Sequence, residues 1–369
     1  VAQRKPRASI GWSRGWEHGY RTGLPLGYHL GLCEAVRQQV PDPAPARRDV
    51  KLMYVTSGKG FPYSPLDQSI IETLQGLVRK LLVLSPNDNL VKAAMRHRPD
   101  VVLVLEGLAC PVEHIDAIRE AGIRTAIWFT DDPYYTDVTA LLAEHYDVIF
   151  TLELECVPFY LDRGCRQVHY LPFAANPAIY RPKPIPVNYR YDISFIGSAY
   201  WSRVDFFDRI ASFLAERHTY ISGIWWDRLR HYKQLASKIE LGKWMEAEET
   251  ASYYYGSKIV INLHRSTIDP TYNKNTQGIG AVSPNPRTFE IAGSGTLQMT
   301  DVRSDLGRFY EPGKEIVTYS SPEELMQKID YYLAHEEERT AIALNALRRT
   351  LQEHTYVHRL DRMLGILFG

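Results

Sequence analysis

Residues 284–301 read PNPRTFEIAGSGTLQMTD. The Pro-Asn-Pro start sets up a helix, because proline's fixed φ suits a first helical turn. Arg287, Thr288 and Glu290 are expected in that turn, where the helix dipole would stabilise the Glu290 carboxylate. Gly293 and Gly295 cut the helix short, and the chain runs directly into a strand, TLQMTD. Just upstream, IVINLH (259–264) is a strand of the same kind, so the stretch is one step of a strand–helix–strand alternation.

The alternation extends in both directions. VKLMYVTSG, KLLVLSP, DVVLVLEG, RTAIWFTDD, YDVIFTLE and QVHYLPFA are short β-rich runs between residues 50 and 174, separated by helical segments such as 65–79 and 111–121. Near-continuous Val/Ile/Leu runs predict strands covered on both faces, the pattern of parallel sheets flanked by helices. A proline-rich boundary, NPAIYRPKPIPVNYR (176–190), interrupts the series, which restarts at YDISFIGS (191–198). The expected division is a helical extension and linker over 1–48, an α/β domain over 49–180, a second over 187–345 and a C-terminal helix over 346–369, packing back on the first domain.

The first forty residues stand apart. Gly11, Gly15, Gly19, Gly23, Gly27 and Gly31 recur at helical spacing, each costing about 1 kcal/mol of helix propensity against Ala. Close packing within the chain, or else a homodimer contact, is expected to offset that cost. Pro25 disfavours helix at Leu24 and predicts two short helices. PDPAPARR (41–48) reads as a linker.

Composition narrows the function. Lys plus Arg number 43 and Asp plus Glu number 43, so the chain lacks the basic surplus of a nucleic-acid binder. It is 45% hydrophobic and 23% charged, which excludes wholesale disorder. No run is long enough to span a bilayer. No apolar stretch follows the charged start VAQRKPRASIGW, so a cytoplasmic location is expected. Cys33, Cys110, Cys156 and Cys165 show no CxxC spacing and read as reduced thiols.

Ligands of open α/β sheets sit beyond the carboxyl ends of the strands, so those ends hold the candidate site. YDISFIGS ends in Gly197 and Ser198, a turn into a helix whose free N–H groups attract phosphate, with Arg203 in its first turn. Asn262 and His264 end the next long strand; His264 is either a ligand group or a satisfied structural histidine. A polar loop follows, to Pro286, with the composition of a segment that orders over a ligand. Glu290 suits a pair of vicinal ribose hydroxyls, and Arg287 is a planar fork suited to a diphosphate. Trp244 is a stacking platform for a base, or a core residue. In the first domain, WFTDDPYY places Asp131 and Asp132 at a strand end. Either is a general base for an acceptor hydroxyl, or a cap for the following helix. GKGFPYSP (58–65) is a candidate acceptor contact.

PNPRTFEIAGSGTLQMTD, with the tail FYEPGKEIVTYSSPEELMQKIDYYLAHEEERTAIALNALRRTLQEHTYVHRL (309–360), resembles the glycosyl-transferase group 1 C-terminal domain, and more narrowly the CgeB-like, spore-maturation type of glycosyltransferase. His354, Thr355, Tyr356 and Arg359 in the tail, YDISFIGS, and LPFAANPAIYRP (171–182) are similar to that family as well. The resemblance implies a GT-B fold: two Rossmann-like domains facing a cleft, the second binding the nucleotide sugar. It implies Glu290 at the ribose, and Arg287, Ser198 and Arg203 near the diphosphate. Transfer to a hydroxyl acceptor, in a spore or cell-envelope setting, is the implied activity. No cofactor beyond the donor is expected, a UDP-sugar foremost and a dTDP- or GDP-sugar next, and no metal, since arginine meets the diphosphate. One departure stands out. Related retaining enzymes carry two glutamates eight residues apart, and the earlier position here is Val282, which leaves the stereochemical outcome open. A non-catalytic sugar-binding or structural protein, and an epimerase on the same architecture, are the alternative readings.

Overall fold

The structure, a computed structural model, describes residues 7–60 and 64–369. Two six-stranded sheets, parallel throughout, form the two domains. The first holds β1 (Arg48–Val55), β2 (Val78–Leu84), β3 (Val101–Leu105), β4 (Arg124–Trp128), β5 (Val148–Thr151) and β6 (Val168–Tyr170), in the order β2-β1-β3-β4-β5-β6. The second holds β7 (Tyr191–Ile196), β8 (Thr219–Gly223), β9 (Ile239–Leu241), β10 (Ser257–Asn262), β11 (Leu297–Asp301) and β12 (Val317–Tyr319), in the order β12-β11-β10-β7-β8-β9. Strand order reverses between β1 and β3 in one sheet and between β7 and β10 in the other, and such reversals open the crevices where ligands bind. The short edge strands β9 and β12, three residues each, carry too little pattern to be read from sequence.

An N-terminal helix, α1 (Arg7–Gln39), precedes the first domain, which contains α2 (Ser64–Leu77), α3 (Leu90–His97), α4 (Val112–Glu120), α5 (Thr136–Ala143) and α6 (Cys156–Leu161). The second contains α7 (Trp201–Ala215), α8 (Tyr232–Leu235), α9 (Ala247–Gly256), α10 (Pro286–Gly293), α11 (Pro322–Ala334) and α12 (Glu336–Glu353), and the chain ends in α13 (Tyr356–Phe368). The strands bury both faces. β3, sequence VVLVL, is buried at every position. Leu52 and Tyr54 of β1 join a core with Leu360, Met363 and Leu364 of α13, whereas Met53 and Val55 join one with Ile115 and Ile118 of α4. Alternate side chains of a strand point to opposite faces, which divides the core in this way.

α12 belongs to the second domain and α13 to the first, so the chain crosses back between them. His354 O accepts from Ala175 N (3.0 Å) and Ala175 O accepts from Tyr356 N (3.2 Å) at the crossing. Arg359, buried, donates to Pro172 O (3.1 Å) and Glu353 O (3.0 Å). The His-Thr-Tyr and Arg of the tail thus pin the interdomain crossing. Each fully buried leucine of α13 contributes about 1.5–3 kcal/mol, which anchors the last helix on the first sheet.

Two expectations for the N-terminus are corrected. α1 runs through Pro25 as one helix rather than two. One proline removes one backbone bond and costs about 3 kcal/mol, and helical turns on both sides of it sustain propagation. The glycines do not serve close packing within the chain: a Cβ added at Gly15, Gly19, Gly23, Gly27 or Gly31 meets nothing within 4 Å. Contact with the body comes instead from Cys33 and Val36, which pack on Leu347 of α12. Among the described residues no helix is long and apolar enough to cross a membrane.

Candidate active site

The carboxyl ends of both sheets face a cleft of about 340 Å³, and a recess of about 220 Å³ beside Trp244 shares Tyr180, Met245, Arg287 and Glu290 with it. α10 is fixed at its first turn by Asn285, whose Oδ1 accepts from Thr288 N at 3.1 Å, with Pro286 as first helical residue. Asn262 Nδ2 lies 3.0 Å from Asn285 Oδ1, 3.1 Å from Thr288 Oγ1 and 2.8 Å from Gln298 Oε1. Asn262 and Thr288 are fully buried and line neither space. They form the frame that aims Arg287 and Glu290 into the cleft.

Glu290 sits in the second turn of α10, not the first, so the helix dipole does not account for its charge state. Burial pushes its carboxyl up to about 7, opposed by the nearby Arg287 and by the Tyr180 hydroxyl that hydrogen-bonds it.

Arg203 and Arg287 converge on Gly197. A Cβ there would lie 3.0 Å from Arg287 Nη2 and 3.2 Å from Arg203 Nη1. Arg203 is buried and donates through Nε to Leu263 O (3.0 Å) and through Nη1 to Ser198 O (2.9 Å). Burial, and then the like charge of Arg287, lower its pKa to about 9. Neither arginine has a carboxylate within ion-pair distance among the described residues. Two adjacent guanidiniums with no direct ion pair, Glu290 and Asp301 acting on them only at longer range, favour an anion at that point. The Gly197 turn beneath them needs a second glycine at the end of β8: a Cβ on Gly223 would meet Gly197 O at 2.3 Å.

His264 resolves to the structural reading. Its Nδ1 donates to Asp301 Oδ1 (2.6 Å) and its Nε2 accepts from Asn285 N (3.0 Å), which occupies both ring nitrogens. Burial lowers its pKa, against the pull of Asp301. Trp244 is about half exposed at the recess, beside Gly197 and Ser198.

On the opposite wall, Asp132 is buried and accepts from Thr139 (3.1 Å) and Thr151 (2.7 Å), and from Tyr160 at 2.9 and 3.0 Å. Its carboxyl is pushed up to about 6 by burial. Asp131 lines the cleft beside it. Neither aspartate caps α5, whose first turn has no side-chain cap. At the β1/β3 reversal, Lys59 Nζ pairs with the buried Glu106, a non-glycine residue at φ 64°. Phe61, Pro62 and Tyr63 of the expected acceptor loop lie outside the described residues.

The polar loop 265–285 is clasped to the first domain. Tyr134 OH donates to Arg265 O (2.9 Å), Lys274 N to Tyr134 O (2.7 Å) and Asp137 N to Lys274 O (2.8 Å). Glu153, at the end of β5, accepts from Val282 N (3.2 Å), Ser283 N (3.1 Å) and Ser283 Oγ (3.2 Å). The backbone at the position without the family's first glutamate is therefore held by a carboxylate from the other domain. Arg265 lies over the Tyr134 ring (4.7 Å) and the Tyr200 ring (4.5 Å), joining both walls.

The sequence reading does not single out Glu153, Tyr180, Arg265 or the Lys59–Glu106 pair. Glu153 and Glu106 close strands of the first sheet, so a full inventory of strand ends brings them in; nothing in the proline-rich boundary marks Tyr180. Among the described residues no group of three or more His, Cys, Asp or Glu is placed to hold a metal ion.

Residues 203–365 match the family described as glycosyl transferase-like. Over 309 residues the chain is 26% identical to the spore protein CgeB of Bacillus subtilis (strain 168), covering 83% of this chain and 95% of that protein. This supports the resemblance to the CgeB-like type. Sucrose-phosphate synthase from Thermosynechococcus elongatus superposes with a TM-score of 0.60 at 11% identity, over 87% of this chain and 99% of the other. Anabaena HepE, solved with UDP and glucose, superposes with a TM-score of 0.59 at 10% identity, over 86% and 99%. The fold is GT-B, two parallel-sheet domains about a cleft.

Proposed function

We propose that the chain transfers a sugar from a nucleotide sugar to a hydroxyl acceptor, with arginine rather than a metal meeting the diphosphate. The observation that carries this reading is the meeting of Arg203 and Arg287 over Gly197, neither with a carboxylate at ion-pair distance among the described residues. A departing nucleoside diphosphate develops negative charge at the phosphate, and preorganised positive charge at that point lowers the barrier. In similar sites the loss of one such donor costs about 2.7–4 kcal/mol of transition-state stabilisation.

In this reading the diphosphate lies against Gly197, Ser198 and the two guanidiniums. Glu290 in its ionised form accepts from the ribose hydroxyls, and Trp244 stacks on the base. UDP is the foremost nucleotide, supported by the UDP that HepE holds on the same fold. The acceptor enters from the first domain, where Asp131 takes the hydroxyl proton. Asp132 is the lesser candidate for that step, since its two oxygens already accept four contacts from three hydroxyls. The spore setting of CgeB favours an envelope or spore-surface acceptor.

A thermal-shift screen against UDP, GDP, dTDP and their sugars, with and without Mg²⁺, tests the donor. Binding to the native state alone raises the melting temperature by mass action. A metal-independent shift with UDP and UDP-sugars is expected. No shift with any nucleotide would favour the non-catalytic reading, and interconversion of a bound sugar without acceptor would favour epimerisation.

A further inference from the structure

A second cavity, of about 420 Å³, lies between α1 and the second domain, away from the cleft. Tyr191, Ser257 and Leu297, the first residues of β7, β10 and β11, line it. β10 runs from Ser257 at this cavity to Asn262 in the frame of the cleft, about 17 Å at 3.3 Å per residue. The two spaces therefore occupy opposite edges of one sheet. A volume of this size falls in the usual range for small-molecule sites, about 300–1,000 Å³.

The walls have a definite chemistry. Pro25 and Leu26 of α1 and Val187 supply apolar surface. The His29 and Tyr255 rings stack at 6.1 Å, offering flat faces. Four cations line the space against two carboxylates. Lys258 is paired with Asp192 at 2.7 Å and Arg339 with Glu336 at 3.9 Å, while Arg21 pairs with Glu17 outside. Arg190 has no ion pair among the described residues, and its Nε is buried without a hydrogen-bond partner. A guanidinium on the cavity wall with no carboxylate partner is the position at which an anion entering the cavity makes a charge-assisted contact.

We infer that this cavity binds a small organic anion with a flat apolar body, an aromatic carboxylate, sulfonate or phosphate, whose charged end meets Arg190 while its ring packs against Leu26 and Tyr255. The ligand bridges α1 and the second domain and is independent of the nucleotide sugar.

The test is a fluorescence titration of the full chain with 8-anilinonaphthalene-1-sulfonate, an apolar ring system carrying one sulfonate, alongside thermal melts. One saturable site is expected. Arg190→Gln weakens it at least tenfold, and Leu26→Trp, which fills the cavity from α1, abolishes it at an unchanged melting temperature. Saturating UDP and the cleft variant Arg287→Ala leave it unchanged, so failure here is separable from failure of the transferase reading. Absence of saturable binding, wild-type affinity in both cavity variants, or displacement by UDP overturns the proposal. Leu26→Trp decides the matter if Arg190→Gln does not fold.

Discussion

Arg203 and Arg287 come from different helices, α7 and α10, and their guanidiniums meet over Gly197 with no carboxylate at ion-pair distance among the described residues. Their environments differ. Arg203 is buried and anchors two backbone carbonyls, whereas Arg287 makes no hydrogen bond among the described residues. Arg203→Ala is therefore expected to cost about 1–3 kcal/mol of stability, the penalty of orphaned carbonyls, along with donor binding. Arg287→Ala costs donor binding alone, and its melting temperature stays level or rises as like-charge repulsion is relieved. Denaturant unfolding of both variants checks the contrast, and an equal loss of stability in the two would refute it.

Gly197→Ala places a methyl 3.0 Å from one guanidinium and 3.2 Å from the other. The arginine ends can move aside, but φ at Gly197 is 159°, which strains any L residue. A modest loss of stability therefore accompanies the spoiled anion site, and melting curves must accompany the titration. Nucleoside diphosphate affinity is expected to fall at least tenfold, about 1.4 kcal/mol. Unchanged affinity would show that the diphosphate lies elsewhere.

The raised Glu290 carboxyl gives a pH signature. Its folded pKa of about 7 lies above the ordinary 4.5, so the folded state holds the proton longer than the unfolded chain. This group's contribution to stability is full below about 4.5 and declines as pH rises to about 7. Glu290→Gln should remove that decline from the stability profile. If ribose hydroxyls donate to the ionised carboxylate, wild-type donor affinity also rises between pH 6 and 8 while that of Glu290→Gln stays flat. Chemical denaturation and calorimetry across the range read both, and parallel profiles for wild type and variant would contradict the assignment.

Glu153 holds the Val282–Ser283 backbone from across the cleft. Glu153→Ala strands these N–H groups and is expected to cost about 1–3 kcal/mol and to raise KM for the donor more than it lowers kcat. Glu153→Gln keeps one acceptor and should restore part of both. A variant with wild-type KM and stability would remove Glu153 from the account.

Much of this was legible in the sequence, and the remainder was not for identifiable reasons. The runs VVLVL and IVIN declare buried parallel strands because both faces need apolar cover, and PNPR announces α10. Arg203, Arg287 and Glu290 follow because strand ends and helix starts are local features, and all three line the cleft. Asn262 and Thr288 come from the same strand end and helix start, yet they point into the frame, while His264 lines the cleft with both ring nitrogens occupied, differences that only packing decides. Glu153 on Ser283 and Tyr180 at Glu290 join residues 130 and 110 positions apart, which no local pattern records. Pro25 misleads because a propensity rule weighs one residue, whereas the turns around it sustain the helix.

The central claim, that Arg203 and Arg287 receive a nucleoside diphosphate, is tested most directly by calorimetric titration of UDP with a chelator present. Wild type is expected to bind, and Arg287→Ala to bind roughly ten- to a hundredfold more weakly, the worth of one charge-assisted contact at about 1.5–3 kcal/mol. Equal affinity in a folded Arg287→Ala variant, or binding that requires added Mg²⁺, would contradict it.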